Sequence, residues 1–114
     1  MIKIEIQRQN GKITYFEIKG HADFSGYGDD IICAAVSSVG QMTINGLIET
    51  LKLQKKLEYV EKDGLITCDL KESELTDEEL EKADILIESM YSYLKAVARS
   101  YSEFVRLEEK IEKK

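Results

Sequence analysis

A chain of 114 residues is long enough for one modest hydrophobic core and too short for two. Sixteen Lys and Arg against 22 Asp and Glu leave a net charge of −6. That balance argues against a general nucleic-acid binder, which shows a basic face to phosphates, and suits a basic partner drawn in by long-range attraction. The two cysteines, Cys33 and Cys68, are too few for a disulfide framework. No charged-then-apolar leader precedes the first strand pattern, and no apolar run is expected to approach the roughly 20 residues that cross a bilayer. The expectation is a single domain over residues 1–114, cytoplasmic, with reduced thiols and no membrane partner.

Met1 to Arg8 alternates, with Ile2, Ile4 and Ile6 on one face and Lys3, Glu5 and Gln7 on the other, the period of a half-buried strand. Asn10-Gly11 is a type I′ hairpin signal, and Lys12 to Lys19 returns as the second strand. His21, the only histidine, then stands just past a strand end. Residues 22–29 read as a loop in which Gly26 and Gly28 free the backbone and Phe24 and Tyr27 supply apolar bulk, a substrate lid.

A first helix is expected from Ile31 to Lys52, apolar around much of its circumference and therefore buried on more than one side. Gly40 and Gly46 inside it predict close approach of another backbone. Leu57 to Val60 and Leu65 to Leu70 form a second hairpin around Asp63-Gly64, which places Cys68 in a core or interface strand. Leu75, Thr76, Glu79 and Leu80 make a capping box and staple that start a second helix. Its apolar stripe runs from Leu80 through Val97 and Tyr101 to Val105, and the charged tail from Glu108 to Lys114 is expected to fray. Tyr91, Tyr93 and Tyr101 on this helix read either as packing residues or as a surface for substrate or partner.

The order β-β-α-β-β-α, with short links, predicts an α+β two-layer sandwich: a mostly antiparallel four-stranded sheet with both helices on one face. Two largely apolar helices on so small a sheet leave apolar surface that a second copy could cover.

The chemistry concentrates in residues 20–38, Gly-His-Ala-Asp-Phe-Ser-Gly-Tyr-Gly-Asp-Asp-Ile-Ile-Cys-Ala-Ala-Val-Ser-Ser. A thiol attacks as thiolate, a form favoured at a helix N-terminus or beside an imidazolium. With Asp30 as N-cap, Cys33 falls in the first turn, among unpaired N–H groups that could hold an oxyanion. His21 is placed to fold back as base and then acid, and Ser37 lies one turn beyond Cys33 on the same face. Read singly, His21 is a surface or structurally bonded residue and Cys33 a small core hydrophobe; their conjunction around a glycine-punctuated loop favours catalysis. No cofactor or metal is called for. A metal module from His21, Asp23, Asp29 and Cys33 would mix one His with soft and hard ligands at irregular spacing, which fits no common zinc pattern.

This stretch resembles the ribosomal-processing cysteine protease Prp family, also called the YsxB-like family, in its Gly-His-Ala, its glycine-containing loop and its Asp-Ile-Ile-Cys-Ala-Ala-Val-Ser-Ser. The likeness extends to the length and element order of nearly the whole chain. It implies a cysteine endopeptidase that removes a short N-terminal extension from the large-subunit ribosomal protein L-twenty-seven, cutting after an aromatic residue. His21 and Cys33 match the catalytic dyad, and Gly20, Asp30 and Ser37 match positions that support it. The resemblance also implies a homodimer. A non-enzymatic ribosome-assembly factor that holds a basic ribosomal protein suits the charge equally, but leaves the Cys33 motif without a purpose.

Overall fold

The computed structural model of the chain describes residues 1–20 and 27–112. Strand β1 (Ile2–Gln9) and strand β2 (Lys12–Lys19) turn through Asn10 and Gly11, whose φ angles of 55° and 82° are the left-handed pair a type I′ hairpin requires. Their register sets Ile4 opposite Ile18 and Ile6 opposite Phe16, with a bulge between Gln7 and Arg8. Strand β3 (Glu58–Lys62) and strand β4 (Leu65–Asp69) form the second hairpin, and β4 lies beside β2 with Cys68 opposite Phe16 and Ile66 opposite Ile18. The alternation therefore gathers Ile2, Ile4, Ile6, Phe16, Ile18, Ile66 and Cys68 on one buried inner face. Lys3, Glu5, Gln7, Tyr15 and Glu17 alternate with them on the outer face, where the Tyr15 hydroxyl donates to Glu17 at 2.7 Å.

Helix α1 (Tyr27–Asn45) continues into a π-helical turn over Gly46–Thr50. Both the start and the end differ from the expected Ile31 to Lys52. Gly40 explains how α1 sits: a Cβ there would lie 2.7 Å from Ile18 Cδ1 and 3.1 Å from Ile66 Cδ1, so the helix rests directly on the inner face. At Gly46 the neighbour is Leu86 Cδ1, 3.1 Å from the same virtual atom. The close approaches expected at both glycines are real, but they are made by side chains rather than by another backbone.

Residues Ile31–Thr50 also correct the expectation that no apolar run nears bilayer length, for they form 20 helical residues of mean hydropathy 1.6. Their composition follows from packing, since Ile32, Val36, Ile44 and Leu47 are buried in the common core and Gly46 meets the second helix. Helix α2 (Asp77–Ser100) begins at the expected capping box, Thr76 Oγ1 accepting from the Glu79 N–H and the Glu79 carboxylate from the Thr76 N–H. It buries Ala83, Ile87, Met90, Leu94 and Val97.

The larger departure is a fifth strand. The helix stops at Ser100, and β5 (Val105–Glu112) runs parallel to β1, giving the order β3-β4-β2-β1-β5. The α+β two-layer arrangement holds and most pairings are antiparallel, yet the sheet has five strands rather than four. Val105 was expected to continue the helical stripe; it is instead 2 % exposed as the first residue of the strand. The reason is the free edge of β1, whose Ile2 N–H donates to the Phe104 carbonyl at 2.9 Å.

Arg8 ties this edge to the helices. Its Nε lies 2.6 Å from Glu109 on β5 and its Nη1 2.6 Å from Glu88 on α2, while its guanidinium stands 5.0 Å from the centroid of the Tyr91 ring. The Tyr91 hydroxyl donates to Glu109 at 2.6 Å.

Asp84, nearby on α2, is less well served. Its Oδ1 is buried with no hydrogen-bond partner among the described residues, and burial, with Glu88 adding repulsion, raises its pKa. A carboxyl whose folded-state pKa is raised costs stability as pH rises above its ordinary value near 3.8. Asp84→Asn is therefore expected to raise the melting temperature at pH 7, with the gain shrinking as pH falls toward 3.8; thermal melts of both proteins across that range check it.

Candidate active site

Strand β2 ends at Gly20, and the backbone there does what only glycine does readily. Its φ is 107°, a Cβ would sit 2.7 Å from the Met1 carbonyl oxygen, and its N–H donates to the Gly64 carbonyl at 3.0 Å. Gly20 thus joins three parts: the end of β2, the start of β1, and the β3–β4 turn. The next residue in sequence is His21, which lies outside the described residues, as do Asp23, Phe24 and Gly26.

Across from Gly20 stands α1. Cys33, Ser37 and Gln41, each one turn after the last, form a stripe along the helix, and Cys33 and Ser37 are half-buried. Together with Ile18, Gly20 and the turn residues Glu61 to Ile66 they line a cavity of about 420 Å³. A nucleophile, a hydroxyl and an amide on one wall face a polar turn on the other. This is an open groove able to take a short run of extended chain.

A second cavity of about 440 Å³ lies elsewhere, between the β1–β2 turn and α2, and is lined by Lys12, Lys71, Asp84 and neighbours. It offers no Cys, His or Ser.

Two expectations about this site change. Tyr27 and Gly28 belong to α1 and not to a loop, so the lid assigned to Phe24, Gly26, Tyr27 and Gly28 loses its C-terminal half to the helix. Asp30 accordingly lies within α1 instead of capping it, and Cys33 falls in the second turn. There the backbone N–H is engaged by the helix itself, and the macrodipole has largely faded. An oxyanion hole built from unpaired N–H groups at Cys33 is therefore not what the fold provides. The reason is local: Tyr27, Gly28 and the two aspartates extend the helix by a turn that the glycine spacing had suggested was loop.

Cys68 behaves as expected of a core residue. It is fully buried opposite Phe16 and Tyr59, and burial, with Asp69 adding to it, pushes its thiol up to about 12. Of the two free thiols, only Cys33 reaches a cavity. Among the described residues no group of three or more His, Cys, Asp and Glu side chains is placed to hold a metal ion. Gln41 and the turn from Glu61 to Ile66 are additions that the sequence alone did not reveal. Gln41 was open to discovery by continuing the Cys33–Ser37 spacing one turn further, whereas the turn carries no local signal.

The sequence profile of the family described as cysteine protease Prp matches residues 1–106. The chain belongs to the cysteine protease Prp family. The ribosomal processing cysteine protease Prp of Bacillus subtilis is 34 % identical over 108 residues, covering 94 % of this chain and 96 % of that one. A crystal structure from Streptococcus mutans superposes with a TM-score of 0.81 at 31 % identity, covering 98 % and 96 % of the two chains. The essential ribosomal processing protease Prp of Staphylococcus aureus, solved in complex with a substrate peptide, gives 0.77 at 27 % identity over 96 % of this chain and all of that one. As a Prp-family member the protein is a cysteine protease, and the cavity at Cys33 is where its one accessible thiol lies.

The Gly20 geometry has a direct consequence for this Prp fold. Gly11 also has a positive φ, 82°, but a Cβ there meets nothing within 4 Å. Both Gly→Ala variants carry the backbone cost, of order 1 kcal/mol, and only Gly20→Ala adds a clash with main chain. Gly20→Ala is expected to lose about 2 kcal/mol more than Gly11→Ala in urea denaturation.

Proposed function

We propose that the protein removes the N-terminal extension of the ribosomal protein L-twenty-seven precursor, cutting after an aromatic residue, with Cys33 as nucleophile and His21 as general base. The observation that carries the reading is that Cys33 lines a cavity together with Gly20, the residue before His21. The buried Cys68, with its raised pKa, has no access to a peptide. The relative from Staphylococcus aureus has also been solved with a covalently linked product peptide, which supports a covalent thiol mechanism.

In this mechanism the His21 imidazole takes the Cys33 proton, and the thiolate attacks the carbonyl carbon of the scissile bond. The tetrahedral intermediate collapses with transfer of that proton from His21 to the leaving amine, which departs as the new N-terminus. Water, deprotonated by His21, then attacks the thioester; the proton returns to sulfur and the extension leaves as a carboxylic acid. Ser37 and Gln41, on the same helix stripe, hold the peptide backbone along the groove, and Asp30 supports the site from within α1. The whole chain works as one domain, in the cytoplasm, and as a homodimer. The net charge of −6 favours encounter with a basic ribosomal protein and not with nucleic acid.

Intact-mass measurement of the L-twenty-seven precursor tests the reading. Wild type and Cys68→Ser should each release one N-terminal peptide, whereas Cys33→Ala and His21→Ala should slow release by at least about a thousandfold without unfolding the chain. An unchanged precursor with folded wild type would overturn it, as would full cleavage by Cys33→Ala.

A further inference from the structure

The edge strand β5 carries a pattern that reads against itself. Because Phe104 directs its carbonyl to Ile2 of β1, and successive residues alternate, residues 106, 108 and 110 turn their backbone groups toward β1. Leu107, Glu109 and Ile111 turn theirs outward, to an edge that no other strand among the described residues covers.

An antiparallel pair of identical strands is centred on one residue, which fixes every other pairing. Centred on Glu109, it sets Arg106 opposite Glu112, Leu107 opposite Ile111 and Glu108 opposite Lys110. Each of these three pairs is complementary in charge or in apolarity. A centre at Leu107 would instead set Val105 against Glu109, and a centre at Ile111 would leave half the strand unpaired.

We propose that two copies of this chain join through β5, antiparallel about a twofold axis at Glu109, merging their sheets into one continuous sheet. The proposal rests on the homodimer reading above and names its interface. The pairs 107 with 111 and 109 with 109 exchange backbone hydrogen bonds, while 106 with 112 and 108 with 110 occupy the sites where side chains come closest. Charged edges normally block pairing, but they do so by setting like charges together; here the charges alternate in sign across the axis.

The one like-charged meeting, at Glu109, is already answered within each chain by Arg8 and Tyr91, both at 2.6 Å. Ile111, 65 % exposed on the edge strand, gains the partner subunit's Leu107 as a neighbour. An axis perpendicular to the sheet keeps both helical layers on the same side. It also leaves both Cys33 cavities open, because β3 and β4 lie at the opposite edge from β5. Most of β5 lies beyond residue 106, where the match to the family profile ends.

Sedimentation equilibrium at micromolar concentration tests the assignment. Wild type should be a dimer. Glu108→Lys alone and Lys110→Glu alone each set like charges together twice across the axis, and each should weaken the dimer by about tenfold or more. The double variant E108K/K110E restores both pairs and should restore the dimer. It also keeps a cation beside Glu5, which Lys110 contacts at 3.6 Å and which Glu108 adjoins in register. Cleavage should be unchanged in all three. If a charge variant fails to fold, Ile111→Pro, which removes one outward N–H from an edge, serves in its place and should give monomer.

A wild-type monomer would overturn both the homodimer and the interface. A dimer indifferent to both single variants would keep the homodimer and overturn β5, directing attention to the α1–α2 groove at Met42, Leu86 and Tyr93. Single variants that dissociate without rescue by the double variant would overturn the register.

Discussion

The missing side chain at Gly40 is the contact on which the site depends. It lets α1 settle onto Ile18 and Ile66, and one methyl group more would meet Ile18 Cδ1 at 2.7 Å. That closeness sets the height of the whole helix above the sheet. Cys33, Ser37 and Gln41 are carried on the same rigid cylinder, so their approach to the β3–β4 turn follows from a packing event one to two turns away. A site built this way is positioned by the core itself and not by loops alone.

The other half of the framework is the strand pair that β1 makes on its two sides. β2 returns along it antiparallel through a tight turn, whereas β5 reaches it in parallel only after the whole of the chain between has been used. Arg8 joins that late arrival to α2 through Glu88 and Glu109. The consequence is a division of labour along the sheet. The β3–β4 end frames the cavity, and the β1–β5 end closes the fold and presents an edge.

Much of this was legible from residue pattern because the determinants are local. Ile2, Ile4 and Ile6 at period two, Asn10-Gly11, and Thr76 with Glu79 each name their structure within a few residues. The site motif was legible for the same reason, since Gly20 through Ser37 is continuous in sequence. What escaped depended on distant partners. Val105 satisfies a helical stripe and a strand alternation equally well, and only the unpaired edge of β1 decides between them. The start of α1 was misplaced because Gly26 and Gly28 look like loop punctuation, although a glycine in a first turn costs only about 1 kcal/mol and packing readily overrides it. The groove wall from Glu61 to Ile66 could not be read at all, because nothing near those residues in sequence refers to Cys33.

The seclusion of Cys68 has a consequence for chemistry done on the protein from outside. With one sulfur sealed between Phe16 and Tyr59 and held protonated, an electrophile added to the folded chain meets a single address on α1. Thiol alkylation, disulfide capture and thiol oxidation all converge on the groove proposed above to take the peptide. If Cys33 is the nucleophile, the protein's exposure to thiol-reactive compounds and its exposure to peptide are the same property.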